Sequence, residues 1–149
     1  MTQSLPPKSV VLYADDDPDD RELLHEAFKE YAHAIELTTF KDGLELLQFI
    51  DRIRPLQPAP CLVILDINMP RLDGKATLQR LRNIEGFEEV PAVLFSTSTL
   101  PSEISFARRL KAGFVTKPLH TLQIHLIVDQ LIEHCTDEVK KSINWRRNQ

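Results

Sequence analysis

Five residues whose types can do chemistry stand at the ends of apolar runs. Asp15 and Asp16 follow SVVLYA, Asp66 ends CLVILD, Ser96 follows VPAVLF, and Lys117 follows the short run Phe114 to Thr116. In an open α/β sheet, ligands bind outside the carboxyl ends of the strands. If these ends meet, three carboxylates share one mouth. They repel one another, and loss of water raises their pKa further. A divalent cation relieves that cost. Mg²⁺ suits such a mouth, because it prefers oxygen ligands, takes few carboxylates and keeps waters that a phosphate can replace. Lys117 adds a mobile positive charge, and Ser96 adds a hydroxyl donor. The set is a site for a phosphoryl group with a carboxylate nucleophile, Asp66, at its centre.

The elements that must position these residues are legible along the chain. Ser9 to Ala14 reads as a strand, and Asp17-Pro18 as an N-cap and first turn. The helix that follows runs to about His33, with Leu24, Ala27, Phe28 and Tyr31 on one face. Ile35 to Phe40 alternates apolar and polar residues, as an edge strand does. Asp42-Gly43 turns into a helix with Leu46, Leu47, Ile50 and Ile53 inward, and Arg54 to Pro60, with its prolines, is a loop. The run Cys61 to Leu65 enters Asp66 as a fully buried strand. Met69-Pro70 breaks the chain, and Asp73-Gly74 starts a helix to about Arg82. Val90 to Phe95 is a strand, and Pro101 to about Lys111 a helix. Phe114 to Thr116 is a short strand, and Leu119 to about Cys135 a helix with the stripe Ile124, Ile127, Val128, Leu131 and Ile132. Pro118 points to a rigid turn in which a cis peptide is an option.

Alternating strands and helices imply an α/β fold, a five-stranded parallel sheet with helices on both faces. The second strand alternates and the fifth is short, so both suit edges. The order 2-1-3-4-5 satisfies this with right-handed crossovers, and it places the switch point between strands one and three. The expected layout is an N-terminal extension at 1–8, one domain at 9–135 and a C-terminal tail at 136–149.

Composition narrows the function. The chain has 149 residues and a formal net charge of -4, which argues for one domain and against a general nucleic-acid binder. MTQSLPPKS has no apolar segment of a signal peptide, and no apolar run is long enough to span a membrane. Cys61 and Cys135 are far apart in sequence. They read as reduced core thiols of a cytoplasmic protein, not as a disulfide framework. Several residues have plain structural readings. Asp17, Asp19 and Asp20 suit a helix cap and first turn. Asp73 suits an N-cap, and the histidines at 25, 33, 120, 125 and 134 show no ligand spacing. Asp15, Asp17 and Asp19 imitate the start of a calcium loop, but Asp20 stands where that loop needs glycine.

The run Asp15-Asp16-Asp17, DINMPRLDG from Asp66, the hydroxyl of Ser96 and Lys117-Pro118 together resemble the receiver domain of two-component response regulators, the CheY-like family. The resemblance covers about Ser9 to Cys135. The acidic start and the run FSTST are similar to stand-alone receivers, including those paired with bacterial phytochromes. The resemblance implies a role for each matching position. Asp66 is the phospho-acceptor. Asp16 binds Mg²⁺ directly, Asp15 mainly through water, and the backbone carbonyl of Asn68 adds a ligand. Lys117 pairs with the phosphoryl oxygens. Ser96, with Thr97 beside it, reports the phosphoryl group, and Phe114 matches the switch aromatic.

Three function classes follow. In the first, a phosphohistidine on a sensor histidine kinase or a histidine phosphotransfer protein passes its phosphoryl group to Asp66, and the face of the fourth helix, fifth strand and fifth helix switches for a downstream protein partner. Such a protein is no enzyme beyond its own phosphorylation and dephosphorylation. The second is a Mg²⁺-dependent phosphatase with an aspartyl-phosphate intermediate; that class needs a second Asp where Asn68 stands. The third is a pseudo-receiver that only binds protein. The segment after the last helix is too short for an output domain, so the signal is expected to leave by docking. The tail KKSINWRRNQ offers Trp145 and arginines as an anchor for a partner or a second copy of the chain. Its few basic groups do not suit DNA, and neither nucleic acid nor membrane is an expected partner.

Overall fold

The apolar runs become one sheet. The computed structural model describes residues 8–53, 59–119 and 123–147, with the backbone only at 142 and 144–147. Strands β1 (Ser9–Ala14), β2 (Ile35–Phe40), β3 (Leu62–Asp66), β4 (Ala92–Ser96) and β5 (Gly113–Thr116) are all parallel. Their order is β2-β1-β3-β4-β5, as the hydrophobic pattern requires. The central strands β1, β3 and β4 are almost wholly buried, and β2 keeps an exposed residue at Glu36.

Among the described residues, six α-helices surround the sheet: α1 (Pro18–Phe28), α2 (Gly43–Ile53), α3 (Gly74–Arg82), α4 (Pro101–Arg109), α5 (Ile124–Ile132) and α6 (Asp137–Arg147). Strand side chains alternate between faces, so each strand feeds two core layers. Val11, Tyr13, Ile64, Val93 and Phe95 pack with Leu24 and Phe28 of α1 and Val128 and Leu131 of α5. Leu12, Ala14, Val63, Leu65 and Leu94 pack with Leu46 and Ile50 of α2, Leu78 and Leu81 of α3, and Ala107 of α4.

Local chemistry sets the boundaries. Asp17 caps α1, its side chain accepting the Asp19 N–H at 2.9 Å, with Pro18 in the first turn. The helix then tightens into a 3-10 turn over Lys29–Tyr31, short of His33. β4 starts at Ala92 rather than Val90, because Pro91 has no N–H for the ladder. α4 ends at Arg109 rather than Lys111. Lys111 takes φ 58°, the left-handed conformation that stops a helix, and the Ala112 N–H returns to the Ala107 carbonyl at 2.9 Å. Arg82, at the end of α3, binds four carbonyls: Leu110 (2.8 Å), Phe87 (3.0 Å), Val90 (2.7 Å) and Lys111 (3.2 Å). It fastens the far end of α4 to α3 and to the turn before β4. Leu119 is not helical and α5 begins at Ile124, with 120–122 outside the described residues, as are 54–58 of the expected loop. Lys117-Pro118 is trans, since the described residues contain no cis peptide. None of their helices is long and apolar enough to cross a membrane.

The stretch after Thr136 departs from expectation. The sequence reads it as a C-terminal tail, yet α6 forms there. The Thr136 hydroxyl accepts the Val139 N–H at 3.4 Å, and Val139 and Ile143, one turn apart, are 5% and 3% exposed in the layer that holds Val11 and Tyr31. Among the side chains described, Val139 and Ile143 dock this polar helix onto the core. The Trp145 side chain lies outside the described residues, and so does its anchoring role. Ile143→Ala should therefore cost about 2–5 kcal/mol in urea unfolding; a frayed terminus would show no change.

Candidate functional site

Register brings the reactive residues level. Ala14 pairs with Leu65, so the next residues, Asp15 and Asp66, stand side by side where β1 and β3 end. Asp66 pairs with Phe95 and Ser96 with Thr116, which sets Ser96 and Lys117 one step further out. One carboxylate oxygen from each of Asp15, Asp16 and Asp66 lies within 4.8 Å of the others. Asp15 is 0% and Asp66 5% exposed, whereas Asp16 faces solvent. The Lys117 side chain crosses the Phe95 ring, 5.5 Å from its centroid, to reach this group. Its Nζ donates to Asp15 Oδ2 at 2.7 Å and Asp20 Oδ2 at 3.0 Å, and stands 3.3 Å from Asp66 Oδ1.

Burial and like charge dominate the electrostatics. Burial first, and the negative charge of Asp15 second, push the Asp66 carboxyl up to about 7, while Lys117 pulls the other way. Burial alone would lower the Lys117 ammonium. Its hydrogen bond to Asp15 and the charges of Asp15 and Asp66 outweigh burial, so its pKa rises and it stays charged. Burial and Asp15 also raise the Tyr13 phenol, which remains a neutral donor.

A surrounding frame holds the acids in place. The Tyr13 hydroxyl donates to Asp15 Oδ2 at 2.5 Å, the Asp17 N–H to Asp15 Oδ1 at 3.0 Å, and Arg21 Nη1 to the Asp15 carbonyl at 2.6 Å. Behind Asp66, Gly74 comes so close that a Cβ would stand 2.3 Å from the Asp66 carbonyl oxygen. Only glycine fits, and its N–H closes the loop by donating to the Ile67 carbonyl at 2.8 Å. On the β2 side, Arg71 donates from Nε (2.9 Å) and Nη2 (2.6 Å) to Asp42 Oδ2, with its own backbone at φ 65°. Burial alone would raise the Asp42 carboxyl, but the Glu45 N–H and Arg71 hold it below its ordinary value.

Of the residues expected in the site, Asp15, Asp16, Asp66 and Lys117 come together. Ser96 is buried beside them, and its hydroxyl accepts the Ser98 N–H at 3.0 Å. Asn68 and Thr97 are exposed on the loops that follow β3 and β4, and Phe114 is half-buried on β5 against the layer of Leu94. Sequence reasoning passed over Tyr13, Asp20, Arg21, Asp42 and Arg71. Tyr13 had a signal: it lies two residues before Asp15, on the same face of the strand. Asp42 also had one, since it follows β2 at the carboxyl edge shared by Asp15 and Asp66. Asp20 read only as a first-turn acid, and Arg71 had no signal.

The donor set fits a divalent cation. All its atoms are hard oxygens, two of the carboxylates are nearly dry, and burial together with the charge of Asp15 keeps the Asp66 carboxyl raised even with Lys117 beside it.

Comparisons with known proteins point to one family. The family model of the response regulator receiver domain matches residues 11–129. Response regulator Rcp1 of Synechocystis sp. is 32% identical over 98 residues, 64% of this chain and 66% of that protein. A protein-glutamate methylesterase/protein-glutamine glutaminase of Methanococcoides burtonii is 26% identical over 85% of this chain but only 36% of its own length. The Mn²⁺-bound form of Rcp1 superposes with a TM-score of 0.74 at 25% identity, covering 85% of this chain and 93% of that one. The phosphorylated cyanobacterial phytochrome response regulator RcpA superposes at 0.78 and 24% identity, covering 89% and 96%, and speaks for the fold.

The raised Asp66 pKa has a stability consequence. Below about pH 4 the carboxyl is neutral in the folded and unfolded chain alike and costs nothing. As pH rises from there through about 7, the unfolded chain ionises first and stability is lost. In metal-free buffer Asp66→Asn should therefore unfold at higher urea than the parent at pH 8, by at least about 1 kcal/mol. The gap should close towards pH 4. A gap independent of pH would contradict this account.

Proposed function

We propose, since this chain belongs to the response regulator receiver domain family of two-component signalling, that Asp66 accepts a phosphoryl group from a phosphohistidine of a sensor histidine kinase or histidine phosphotransfer protein. The observation that carries the reading is the reach of one buried ammonium, Lys117, to both Asp15 and Asp66 at the carboxyl edge of the sheet. An Asp66 carboxylate oxygen attacks phosphorus in line. The P–O bond forms as the P–N bond to histidine breaks, and the nitrogen leaves with its electron pair and takes a proton from solvent. Lys117 stabilises charge on the phosphoryl oxygens. Asp15, Asp16, Asp66 and the backbone carbonyl of Asn68 would hold Mg²⁺, which when bound supplies the positive charge that three carboxylates need. The Mn²⁺-bound form of the relative Rcp1 supports a divalent ion in such a site.

Readout falls to Ser96 and Thr97. Turned from the Ser98 N–H towards the phosphoryl group, the Ser96 hydroxyl draws the loop before α4 inward, and Phe114 on β5 follows into the space. The face of α4, β5 and α5 thereby changes for a downstream protein partner, while the donor protein docks near α1 beside Asp66. Residues 9–135 form the receiver unit of this reading, and a cytoplasmic setting suits a kinase partner. A phosphatase reading fails at Asn68, which has no proton to give a leaving group.

Incubation with Mg²⁺ and acetyl phosphate should add the mass of one phosphoryl group, and Asp66→Asn should abolish the adduct. Turnover of phosphomonoesters, or uptake by the Asn variant at the parent's rate, would overturn the assignment. Ser96→Ala should still be phosphorylated but should respond less. It lacks a charge-assisted hydrogen bond worth roughly 1.5–3 kcal/mol, enough to change a two-state population tenfold. The NMR shifts of Phe114 on adding beryllium fluoride should shrink in that variant; equal shifts would exclude Ser96 as the reporter.

A further inference from the structure

We infer that Cys61 and Cys135 form a modification site: a dithiol that a hydroperoxide closes to an intramolecular disulfide, at the end of the sheet opposite Asp66. The two cysteines are 74 residues apart in sequence, yet their sulfurs lie 4.0 Å apart in hydrogen-bonding contact. Both are buried and free. Their backbones are fixed: the Cys61 N–H donates to the Val10 carbonyl at 2.9 Å just before β3, and the Cys135 N–H to the Ile132 carbonyl at 2.9 Å just after α5. A disulfide needs sulfurs about 2.05 Å apart, so side-chain rotation has only the remaining distance to close.

The pair is accessible from one side. Cys61 lies on the wall of a cleft of about 1070 Å³ that Val10, Pro60, Glu88, Thr136 and Val139 also line. A small peroxide reaches Cys61 from this cleft. Cys61 lines this cleft and Cys135 does not, which divides their roles, and the hydrogen bond between the sulfurs acts in the same sense. It holds the Cys61 thiol below its usual range and pushes Cys135 well above, with burial adding to the second effect. Cys61 is then the attacking sulfur and Cys135 the resolving one. Cys61 Sγ attacks a peroxide oxygen. The O–O bond breaks, a sulfenic acid forms at Cys61, and the released alkoxide or hydroxide takes the thiol proton. Cys135 Sγ then attacks Cys61 Sγ, the S–O bond breaks, and hydroxide leaves with the Cys135 proton as water. Overall, two thiols and one hydroperoxide give a disulfide, water and an alcohol, or a second water from hydrogen peroxide.

The bond would tie the start of β3 to the root of α6, since Thr136 follows Cys135 directly. Asp66 lies at the far end of β3, so this chemistry is separate from the acidic mouth. The test uses the full chain treated with hydrogen peroxide, then denatured and alkylated with N-ethylmaleimide. The expected result is a mass loss of two hydrogens, loss of both alkylatable thiols and one peptide crosslinked between Cys61 and Cys135, all reversed by dithiothreitol. The oxidised chain should also unfold at higher urea than the reduced one. Cys135→Ser should instead trap a dimedone-reactive sulfenic acid at Cys61. Two thiols still alkylatable after peroxide, a crosslink between chains, or oxidation of either sulfur without a crosslink would each overturn the proposal.

Discussion

Asp15 and Asp66 lose nearly all their water at the ends of neighbouring strands, and Lys117 is the cation that answers them. It arrives from the end of β5, two strands away from Asp66, with its ammonium over the Phe95 ring. Breaking a buried ion pair by removing one partner costs roughly 3–5 kcal/mol, because a charge is left dry and unpaired. The whole carboxyl edge is arranged so that this does not happen. β1, β3 and β5 must end level, β4 must present an aromatic ring beneath the lysine, and α1 must start close enough for Asp20 to share the ammonium. The pairing is incomplete by construction. One lysine among four acids leaves Asp66 short of positive charge.

Much of this was legible in the residues. The apolar runs give the strands, their alternation gives the edges, and the carboxylates at the strand ends give the mouth. The four stretches that carry Asp15, Asp66, Ser96 and Lys117 hold the same order in sequence as in the sheet's wiring. What escaped has physical reasons. The Arg71–Asp42 pair depends on an arginine in a left-handed backbone, which no residue pattern announces. Tyr13 looked like strand filler, since its hydroxyl matters only once the neighbouring carboxylate is buried. α6 lacks a full apolar stripe, and its described core contacts are Val139 and Ile143. The two cysteines meet through folding alone, and nothing local in either segment points to the other.

The two ends of the sheet are thus built from different materials. The carboxyl end holds charge, kept soluble in the interior by paired groups and backbone donors. The amino end holds Cys61, Cys135 and the foot of α6 in an apolar layer beside a cleft. β3 runs between them, buried along its full length, with Cys61 before its first residue and Asp66 as its last. Rigid packing along that strand lets each end carry its own chemistry.

Arg82 gives α4 a mechanical character. The guanidinium fastens the carbonyls of Leu110 and Lys111 at the foot of the helix, whereas the described contacts at its head are slight: Ser98 and Leu100 N–H groups on serine hydroxyls. A rod pinned at one end cannot slide; it can only swing. α4 spans nine residues, so its arm is about 13 Å long with the fulcrum at Arg82. Under the proposed readout, a pull at Ser96 would become an angle, with the travel greatest at the free end, around the exposed Leu100, and smallest at the pivot. In that reading a binder that grips the head of α4 would sense the swing more than one that grips its foot.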